Sequence, residues 1–281
     1  MPGADQSTRG AFRPQAGAGE ILEAAAAAFQ AEYGDGPGAP VAVLMAALNE
    51  VDAVGSVVAS IPRSAAGLAT ECLVIDDGST DGTADVARSA GAMVCRLERN
   101  LGQGQALRLG YRLAAERGAA VIATMDADGQ FDASELDRLV APIASGDADF
   151  VNGSRRLGRS ETTDGLRRTG LVLFATLVSA LTGSRITDPA NGFRAFRPEV
   201  PGSVPLQQVQ YQTAELLIGA LALGFTVVEA PVTVKARAAG TSKKGGNLRY
   251  GYRFARVILS TWWRLARRSP GRPPAPRPSV R

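Results

Sequence analysis

Two aspartates separated by one alanine have a spacing that suits metal binding. Asp126 and Asp128 follow the apolar run 121–125. A chain that bends after a strand there can turn both carboxylates toward one cation, with the carbonyl of Gln130 as a third oxygen ligand. Hard oxygen ligands without imidazole or thiolate favour Mg²⁺ or Mn²⁺, and substrate phosphates usually complete such a site. The alternative is an ordinary turn with aspartate caps.

Two further polar groups follow apolar runs in the same way. The first comes after the run 41–47 and the second after the run 72–75: Asn49 and Glu50, then Asp76 and Asp77. Ligands of open parallel sheets bind outside the carboxyl ends of the strands, so we expect these side chains to meet the aspartate pair in one crevice. A helix N-cap at Ser79 or Thr80 is the structural alternative for the second group.

The elements that must position these side chains alternate in type. Short apolar runs and helical patterns predict strands at 41–47, 71–76, 92–97, 119–126 and 148–153, with helices at 51–61, 83–90, 104–117 and 133–144. This alternation is typical of βαβ units, so we predict an α/β fold with a mostly parallel sheet flanked by helices. Further on, the pattern predicts helices at 169–183 and 211–223 and a strand at 225–233.

Composition divides the chain into four segments. Residues 1–39 predict a disordered segment, a short helix over 20–33 and a linker, and residues 40–245 the α/β domain. Residues 246–268 predict a basic amphipathic helix, and residues 269–281 a disordered tail rich in Pro and Arg.

The amino-acid content excludes several kinds of catalysis. The chain has no histidine, which removes Ser-His-Asp and Cys-His triads and every zinc site that needs imidazole. Its two cysteines, Cys72 and Cys95, stand in apolar runs and predict plain core thiols. No acidic residue follows Glu229, whereas the last 52 residues contain 13 Lys and Arg. This end of the chain is therefore expected to meet anions.

Several spaced motifs resemble glycosyltransferase family 2, which has the GT-A fold and uses nucleotide-sugars. They are Leu48-Asn49-Glu50, the run from Val74 to Thr83, Arg99-Asn100-Leu101-Gly102-Gln103-Gly104, and Asp126-Ala127-Asp128-Gly129-Gln130. Three more resemble its polyprenyl-phosphate branch: Asn152-Gly153-Ser154-Arg155, the run from Asp188 to Phe196, and the run from Arg237 to Lys243. The resemblance covers about residues 40–245 and implies a Rossmann-like GT-A domain followed by the amphipathic helix.

The resemblance also implies roles for individual residues. The residues implied to contact the nucleotide are Asn49, Glu50, Asp76, Asp77 and Asp126, with Asp76 contacting the base. The residues implied to bind the metal on the diphosphate are Asp126, Asp128 and Gln130. The residues implied to bind the acceptor or a phosphate are Arg155, Arg167, Arg168, Arg194, Arg237, Ser242 and Lys243. The last three belong to a loop that is expected to close on the phosphates. Asp128, Arg155 and Asp188 are the catalytic candidates. Ala46 and Gln103 depart from the proline and lysine common in the family.

The implied reaction is an inverting transfer of a hexose from a GDP- or UDP-linked donor to polyprenyl phosphate. Such an acceptor is already anionic, so a protein without histidine needs no general base but does need cations that hold two phosphates together. A soluble hydroxyl acceptor would instead require a base, and the candidates are Asp188 and Glu215. The structural alternative for Asp188 is a loop-ordering pair with Arg194. A third hypothesis, from another class, is a non-enzymatic binder of anions or nucleic acid.

The predicted C-terminal helix suits a membrane surface. Six apolar residues fall on one side and arginines on the other: Tyr250, Phe254, Val257, Ile258, Trp262 and Leu265. This pattern predicts a peripheral protein at the cytoplasmic face of an anionic bilayer, helped by the apolar 171–181 stretch. The longest uncharged run has 16 residues, fewer than the roughly 20 of a spanning helix, so an integral membrane partner is a candidate anchor. An ordinary packed helix is the alternative.

Overall fold

A computed structural model describes residues 17–161, 165–235 and 247–266 of the chain, with side chains for 17–161, 169–235 and 251–265. Its strands are β1 (Val41–Ala47), β2 (Ser64–Ala65), β3 (Leu68–Asp76), β4 (Met93–Arg96), β5 (Val121–Thr124), β6 (Phe150–Ser160), β7 (Arg194–Phe196) and β8 (Val227–Val234). Its helices are α1 (Ala18–Tyr33), α2 (Val51–Ser60), α3 (Thr83–Ser89), α4 (Gln103–Glu116), α5 (Leu136–Ala144), α6 (Gly165–Thr182), α7 (Glu199–Ser203), α8 (Gln212–Ala222) and α9 (Asn247–Ala266).

The strands form one mixed sheet whose order confirms the predicted α/β class. From one edge the order is β4, β3, β1, β5, β7, β6 and β8, and β2 makes a short antiparallel pair with the start of β3. Neighbouring strands are parallel except at β7, which is antiparallel to both β5 and β6. The sheet therefore continues beyond β5 in the same direction, through one reversed strand of three residues.

Both faces of the sheet are covered, which explains why the inner strands are apolar without alternation. On one face Leu44 and Ile75 join a core that includes residues of α1, α4, α8 and α9. On the other face Val43 and Val74 join residues of α2, α3 and α5. Residues 18–29 thus share the main core, and their helix begins two residues before the predicted start.

Sequence reasoning missed β7 and α7 and placed the end of β6 too early. β7 is only three residues long, so no periodicity can reveal it. β6 was expected to end at residue 153 but continues to Ser160, because β8 pairs with it again after a register shift between Ser154 and Arg159. The five residues from Arg156 to Ser160 are exposed and polar or small, apart from Leu157, and do not read as a strand.

The expected membrane face of α9 requires a correction. Phe254, Val257, Ile258 and Leu265 are buried, and the ring centroid of Phe254 lies 4.8 Å from that of Phe174 of α6, with the rings tilted by 58°. This stripe is therefore the packed side of the helix. Its outer side carries other apolar residues, Tyr252, Leu259 and Trp263, which are 70%, 48% and 61% exposed. Among the described helices, none is long and apolar enough to cross a membrane.

Candidate active site

The carboxyl ends of β1, β3 and β5 lie side by side, as predicted. Ala47 is in register with Asp76, and Leu44 with Thr124. The loops that follow β1 and β3 are joined by hydrogen bonds: the Asn49 amide donates to Ser79 Oγ at 2.9 Å, and Asn49 Oδ1 accepts from the Thr80 amide at 3.0 Å. The Glu50 amide donates to Thr83 Oγ1 at 2.9 Å. The side-chain oxygen of Asn49 therefore helps to join the loop after β1 to the loop after β3.

Asp76 lies at the bottom of a pocket of about 240 Å³. The other lining residues are Ser79, Thr80, Gly82, Thr83, Ala84, Asp85 and Arg96. Asp76 is buried, and its Oδ1 accepts from the Ser79 amide at 3.0 Å. Its Oδ2 has no hydrogen-bond partner among the described residues and lies 3.4 Å from Arg96 Nε. A carboxylate in the lining of a pocket, held by a backbone amide and an arginine, is suited to accept a hydrogen bond from an N–H group of a ligand.

Asp77 has a different environment from its neighbour. Its Oδ1 accepts from the Leu101 amide at 2.7 Å and its Oδ2 from the Gly102 amide at 2.9 Å. Burial raises the pKa of Asp77 to about 6, although these amides oppose the shift and the adjacent Asp76 adds to it. Asp77 therefore fixes the loop before α4, and its predicted contact to the nucleotide stays a prediction.

Asp126 and Asp128 follow β5 at the same edge. Asp128 is buried and its Oδ1 accepts from the Gln130 amide at 3.1 Å. Asp126 faces Gly192, where a Cβ atom would lie 3.0 and 3.1 Å from the two carboxylate oxygens. Only glycine keeps this space free. Two hard carboxylates beside a space kept clear of side chains fit a Mg²⁺ or Mn²⁺ ion whose other ligands come from a bound diphosphate.

Gln130 is hydrogen-bonded to Lys235 through both its backbone and its side chain. Its backbone carbonyl accepts from the Lys235 amide at 2.7 Å, and its side-chain Nε2 donates to the Lys235 carbonyl at 3.2 Å. Among the described residues, no group of three or more His, Cys, Asp or Glu side chains gathers in a metal-binding arrangement. The predicted metal site of Asp126, Asp128 and Gln130 therefore stays a prediction.

Asp188 pairs with Arg155, not with Arg194 as the structural alternative supposed. Its Oδ2 accepts from Arg155 Nε at 2.6 Å and from the Arg155 amide at 3.1 Å. Asp188 is fully buried, and its Oδ1 has no hydrogen-bond partner among the described residues. Two of the three catalytic candidates are thus in direct contact.

Two predicted residues are structural in this fold. Arg194 is 1% exposed and donates to the carbonyls of Thr213 and Pro189, and burial lowers its pKa to about 10. Its predicted contact to phosphate is wrong for this conformation, because the guanidinium does not reach solvent. Glu215 is fully buried, accepts from the Gln207 and Gln208 amides and pairs with Arg264 at 2.7 Å. It does not face an acceptor.

The remaining predicted residues lie outside the described side chains. Arg167 and Arg168 belong to the first turn of α6, of which only the backbone is described. Arg237, Ser242 and Lys243 lie outside the described residues, although Arg237 follows Lys235 by two positions. Sequence reasoning missed Arg96, which lines the pocket at β3. Its signal was its position, since it is the last residue of β4.

A mixed sheet with a pocket at β3, two aspartates after β5 and an Arg155–Asp188 pair is the arrangement expected of a nucleotide-sugar-dependent glycosyltransferase of the GT-A type. The chain belongs to Glycosyl transferase family 2, whose sequence profile matches residues 42–201. This membership overturns the hypothesis of a non-enzymatic binder.

The relatives of the chain include enzymes with lipid-linked acceptors. The dolichyl-phosphate hexose transferase of Haloferax volcanii is 34% identical over 226 residues, which are 80% of this chain and 96% of that protein. The undecaprenyl-phosphate mannosyltransferase of Micrococcus luteus is 31% identical over 213 residues, 72% of this chain and 85% of that protein.

A solved structure is similar over most of the chain. It is glucosyl-3-phosphoglycerate synthase from Mycobacterium tuberculosis in complex with Mn²⁺, UDP and glucosyl-3-phosphoglycerate. The TM-score is 0.62 at 26% identity, and the match covers 90% of this chain and 86% of that one.

Proposed function

We propose that the protein moves a hexose, with inversion, from a UDP- or GDP-linked donor to polyprenyl phosphate. The observation that carries this proposal is that carboxylates and an arginine lie on nearby strands of the sheet or on the loops that follow them. Asp126 and Asp128 follow β5 as two carboxylates suited to a divalent cation, and Gly192 lies next to Asp126 in the same segment as Asp188, which pairs with Arg155. Relatives that act on dolichyl and undecaprenyl phosphates support the lipid acceptor.

Asp126 and Asp128 would hold the Mg²⁺ or Mn²⁺ ion. When bound, such an ion neutralises the negative charge that grows on a departing diphosphate. The similar structure that contains Mn²⁺ and UDP supports this assignment.

The residues of the chain divide the remaining work between donor and acceptor. Asp76 and Arg96 bind the nucleobase in the pocket at β3. Arg155 binds the acceptor phosphate, and Asp188 holds the Arg155 guanidinium in position. An acceptor that is already an anion attacks without losing a proton to the protein, so Asp188 does not act as a base.

One observation favours a second candidate function. The similar solved structure is a synthase with a soluble acceptor, and Asp188 Oδ1 is a buried carboxylate oxygen without a partner among the described residues. With a hydroxyl acceptor, Asp188 is the better of the two candidate bases named from sequence, because one of its oxygens has no hydrogen-bond partner among the described residues. Both oxygens of Glu215 accept from backbone amides.

The outer side of α9 supports membrane contact. Tyr252, Leu259 and Trp263 recur along that side, and the exposed Arg256 stands among them. Aromatic rings and arginines on one surface suit the headgroup region of an anionic bilayer. This surface would place the enzyme at the cytoplasmic face, where an integral membrane protein is a candidate anchor.

The test is transfer of labelled hexose from UDP- and GDP-linked donors to undecaprenyl phosphate in the presence of Mg²⁺. One donor is expected to give an acid-labile product that extracts into organic solvent. Arg155→Lys is expected to lower turnover about tenfold or more, because lysine cannot keep both the fork geometry and the bond to Asp188. The exposed neighbour variant Arg156→Lys serves as the control. Absence of a lipid product with every donor contradicts the proposal.

A further inference from the structure

Four polar side chains lie next to each other across four strands. In the strand registers Thr124 of β5 pairs with Arg194 of β7, Arg194 with Asn152 of β6, and Asn152 with Glu229 of β8. Register partners project from the same face of a sheet, so the four form one line, here called the polar row. Thr124, Asn152 and Arg194 are 4%, 0% and 1% exposed.

Every member of the polar row binds the backbone of residues 187–192, here called the crossing segment. Glu229 Oε2 accepts from the Thr187 amide at 2.8 Å and Oε1 from the Asp188 amide at 3.2 Å. The other three donate to carbonyls: Asn152 Nδ2 to Asp188 at 3.0 Å, Arg194 Nη2 to Pro189 at 2.9 Å, and Thr124 Oγ1 to Gly192 at 2.8 Å.

The order of these bonds along the chain follows the order of the strands. The crossing segment therefore runs over the sheet from β8 to β5, a distance of three strand spacings or about 14 Å. Near its first end Asp188 holds Arg155, and at its last residue Gly192 lies against Asp126. The segment thus connects the arginine side of the site to the aspartate pair.

Glu229 makes the most hydrogen bonds in the polar row. Its carboxylate accepts four hydrogen bonds, from the Thr187 amide, Thr187 Oγ1, the Asp188 amide and Asn152 Nδ2. It makes no ion pair with a described lysine or arginine. Glu229 is half-buried, and the other three members of the row are buried. Buried polar groups lower stability unless they are fully bonded, and apolar residues would serve a sheet core better. A line of polar residues there points to a task other than stability.

We propose that the polar row is a positioning device for glycosyl transfer, and that Glu229 is its principal member. By holding the crossing segment, the row fixes Asp188, and through it Arg155, relative to Asp126 and Asp128. The inference rests on the proposed function, since it takes Arg155 as the acceptor-binding residue. Glu229 acts through Asp188 and does not touch the substrates.

The first test is hydrogen exchange of the full-length protein carrying Glu229→Gln. The amide nitrogen that replaces one carboxylate oxygen is a donor, so it cannot accept the bonds that oxygen receives. Peptides that span 187–192 are expected to exchange at least tenfold faster than in the wild type, while peptides from β1 stay unchanged. Glu20→Gln, an exposed substitution on α1, is the matched control.

The second test is steady-state kinetics with undecaprenyl phosphate. We expect Glu229→Gln to raise the acceptor KM and lower kcat, together about 10- to 100-fold in kcat/KM, because displacing a positioning group by about 1 Å has such an effect. The donor KM is expected to change less than about threefold, since the β3 pocket does not contact the polar row. A purely structural defect would lower the active fraction and leave both KM values unchanged.

A conservative pair keeps the proposal testable if Glu229→Gln fails to fold. Thr124→Val removes only the hydroxyl that binds the Gly192 carbonyl, and Thr124→Ser restores it. The valine variant should reproduce the rise in acceptor KM, and the serine variant should reverse it. Unchanged exchange at 187–192, or equal changes in both KM values, overturns the proposal. If the wild type makes no lipid product, the proposed function fails, and the exchange result still decides whether Glu229 holds the segment.

Discussion

At the scale of single residues, adjacent carboxylates have opposite tasks. Asp76 and Asp77 look alike in the sequence, and both were assigned to the nucleotide. Asp76 lines a pocket and its Oδ2 lies 3.4 Å from Arg96 Nε, whereas both oxygens of Asp77 bind the amides of Leu101 and Gly102. Side-chain direction at the end of a strand separates them, and residue type alone does not carry that information.

Substituting Asp76 tests the nucleotide pocket. In Asp76→Asn an amide nitrogen can replace Oδ2, and a donor there would oppose the N–H group of a nucleobase. We expect the dissociation constant for the preferred nucleoside diphosphate to rise about tenfold, or about 1.4 kcal/mol. Titration calorimetry measures it, with the exposed Asp52→Asn variant as the control. Unchanged affinity would place the base elsewhere.

The pKa of Asp77 gives a pH dependence of stability. Burial raises the pKa of Asp77 from 3.8 to about 6 in the folded protein, so the folded state binds a proton at this carboxyl more tightly than the unfolded state does. The contribution to stability is fully present below pH 3.8 and is lost as the pH rises through about 6, a change of about 3 kcal/mol at 1.36 kcal/mol per unit.

Urea unfolding between pH 3.5 and 7 measures this contribution. The difference in unfolding free energy between the wild type and Asp77→Asn is expected to fall with pH across that window and then level off. A constant difference would mean that the two amide bonds keep the Asp77 pKa at its ordinary value.

At the scale of elements, hydrophobic patterns predicted most of the sheet and its helices. Long or strongly apolar elements such as β1 and α4 are close to their expected bounds. The pattern missed β7, because three residues between two longer strands have no period of their own. That strand determines where Arg194 points, so the prediction that Arg194 binds phosphate failed together with it.

The helix α9 illustrates a different limit. Periodicity identified its apolar stripe but could not tell whether protein or lipid covers it. The stripe packs against α6 and α8, and the outer side carries separate aromatic residues.

We expect the double variant Leu259→Ser/Trp263→Ser to bind anionic phosphatidylglycerol vesicles about tenfold more weakly than the wild type, because it removes exposed apolar area that the bilayer would bury. Vesicle sedimentation measures this binding, and neutral phosphatidylcholine vesicles should bind both proteins weakly. Equal binding of the variant and the wild type to anionic vesicles would remove α9 from the membrane surface.

At the scale of the whole molecule, the charges of the chain are divided between an acidic edge of the sheet and a basic C-terminal part of the sequence. The aspartates after β3 and β5 stand within the first 130 residues, whereas 13 Lys and Arg follow Glu229 without an acidic residue. This division suits a metal-bound diphosphate on one side and an anionic lipid on the other. This division was readable from the sequence, but the crossing segment that connects Arg155 to the aspartate pair depends on tertiary contacts between residues tens of positions apart.

A competition between acceptors tests the central claim most directly. The wild-type enzyme, Mg²⁺ and the labelled nucleotide-sugar that it prefers are incubated with equal concentrations of undecaprenyl phosphate and phosphoglyceric acid, and the products are separated by extraction. We expect the label in the organic phase, in a product that mild acid cleaves, and its loss when Asp128→Asn replaces the wild type. Label that remains in the aqueous phase as glycosylated phosphoglyceric acid would contradict a polyprenyl-phosphate acceptor.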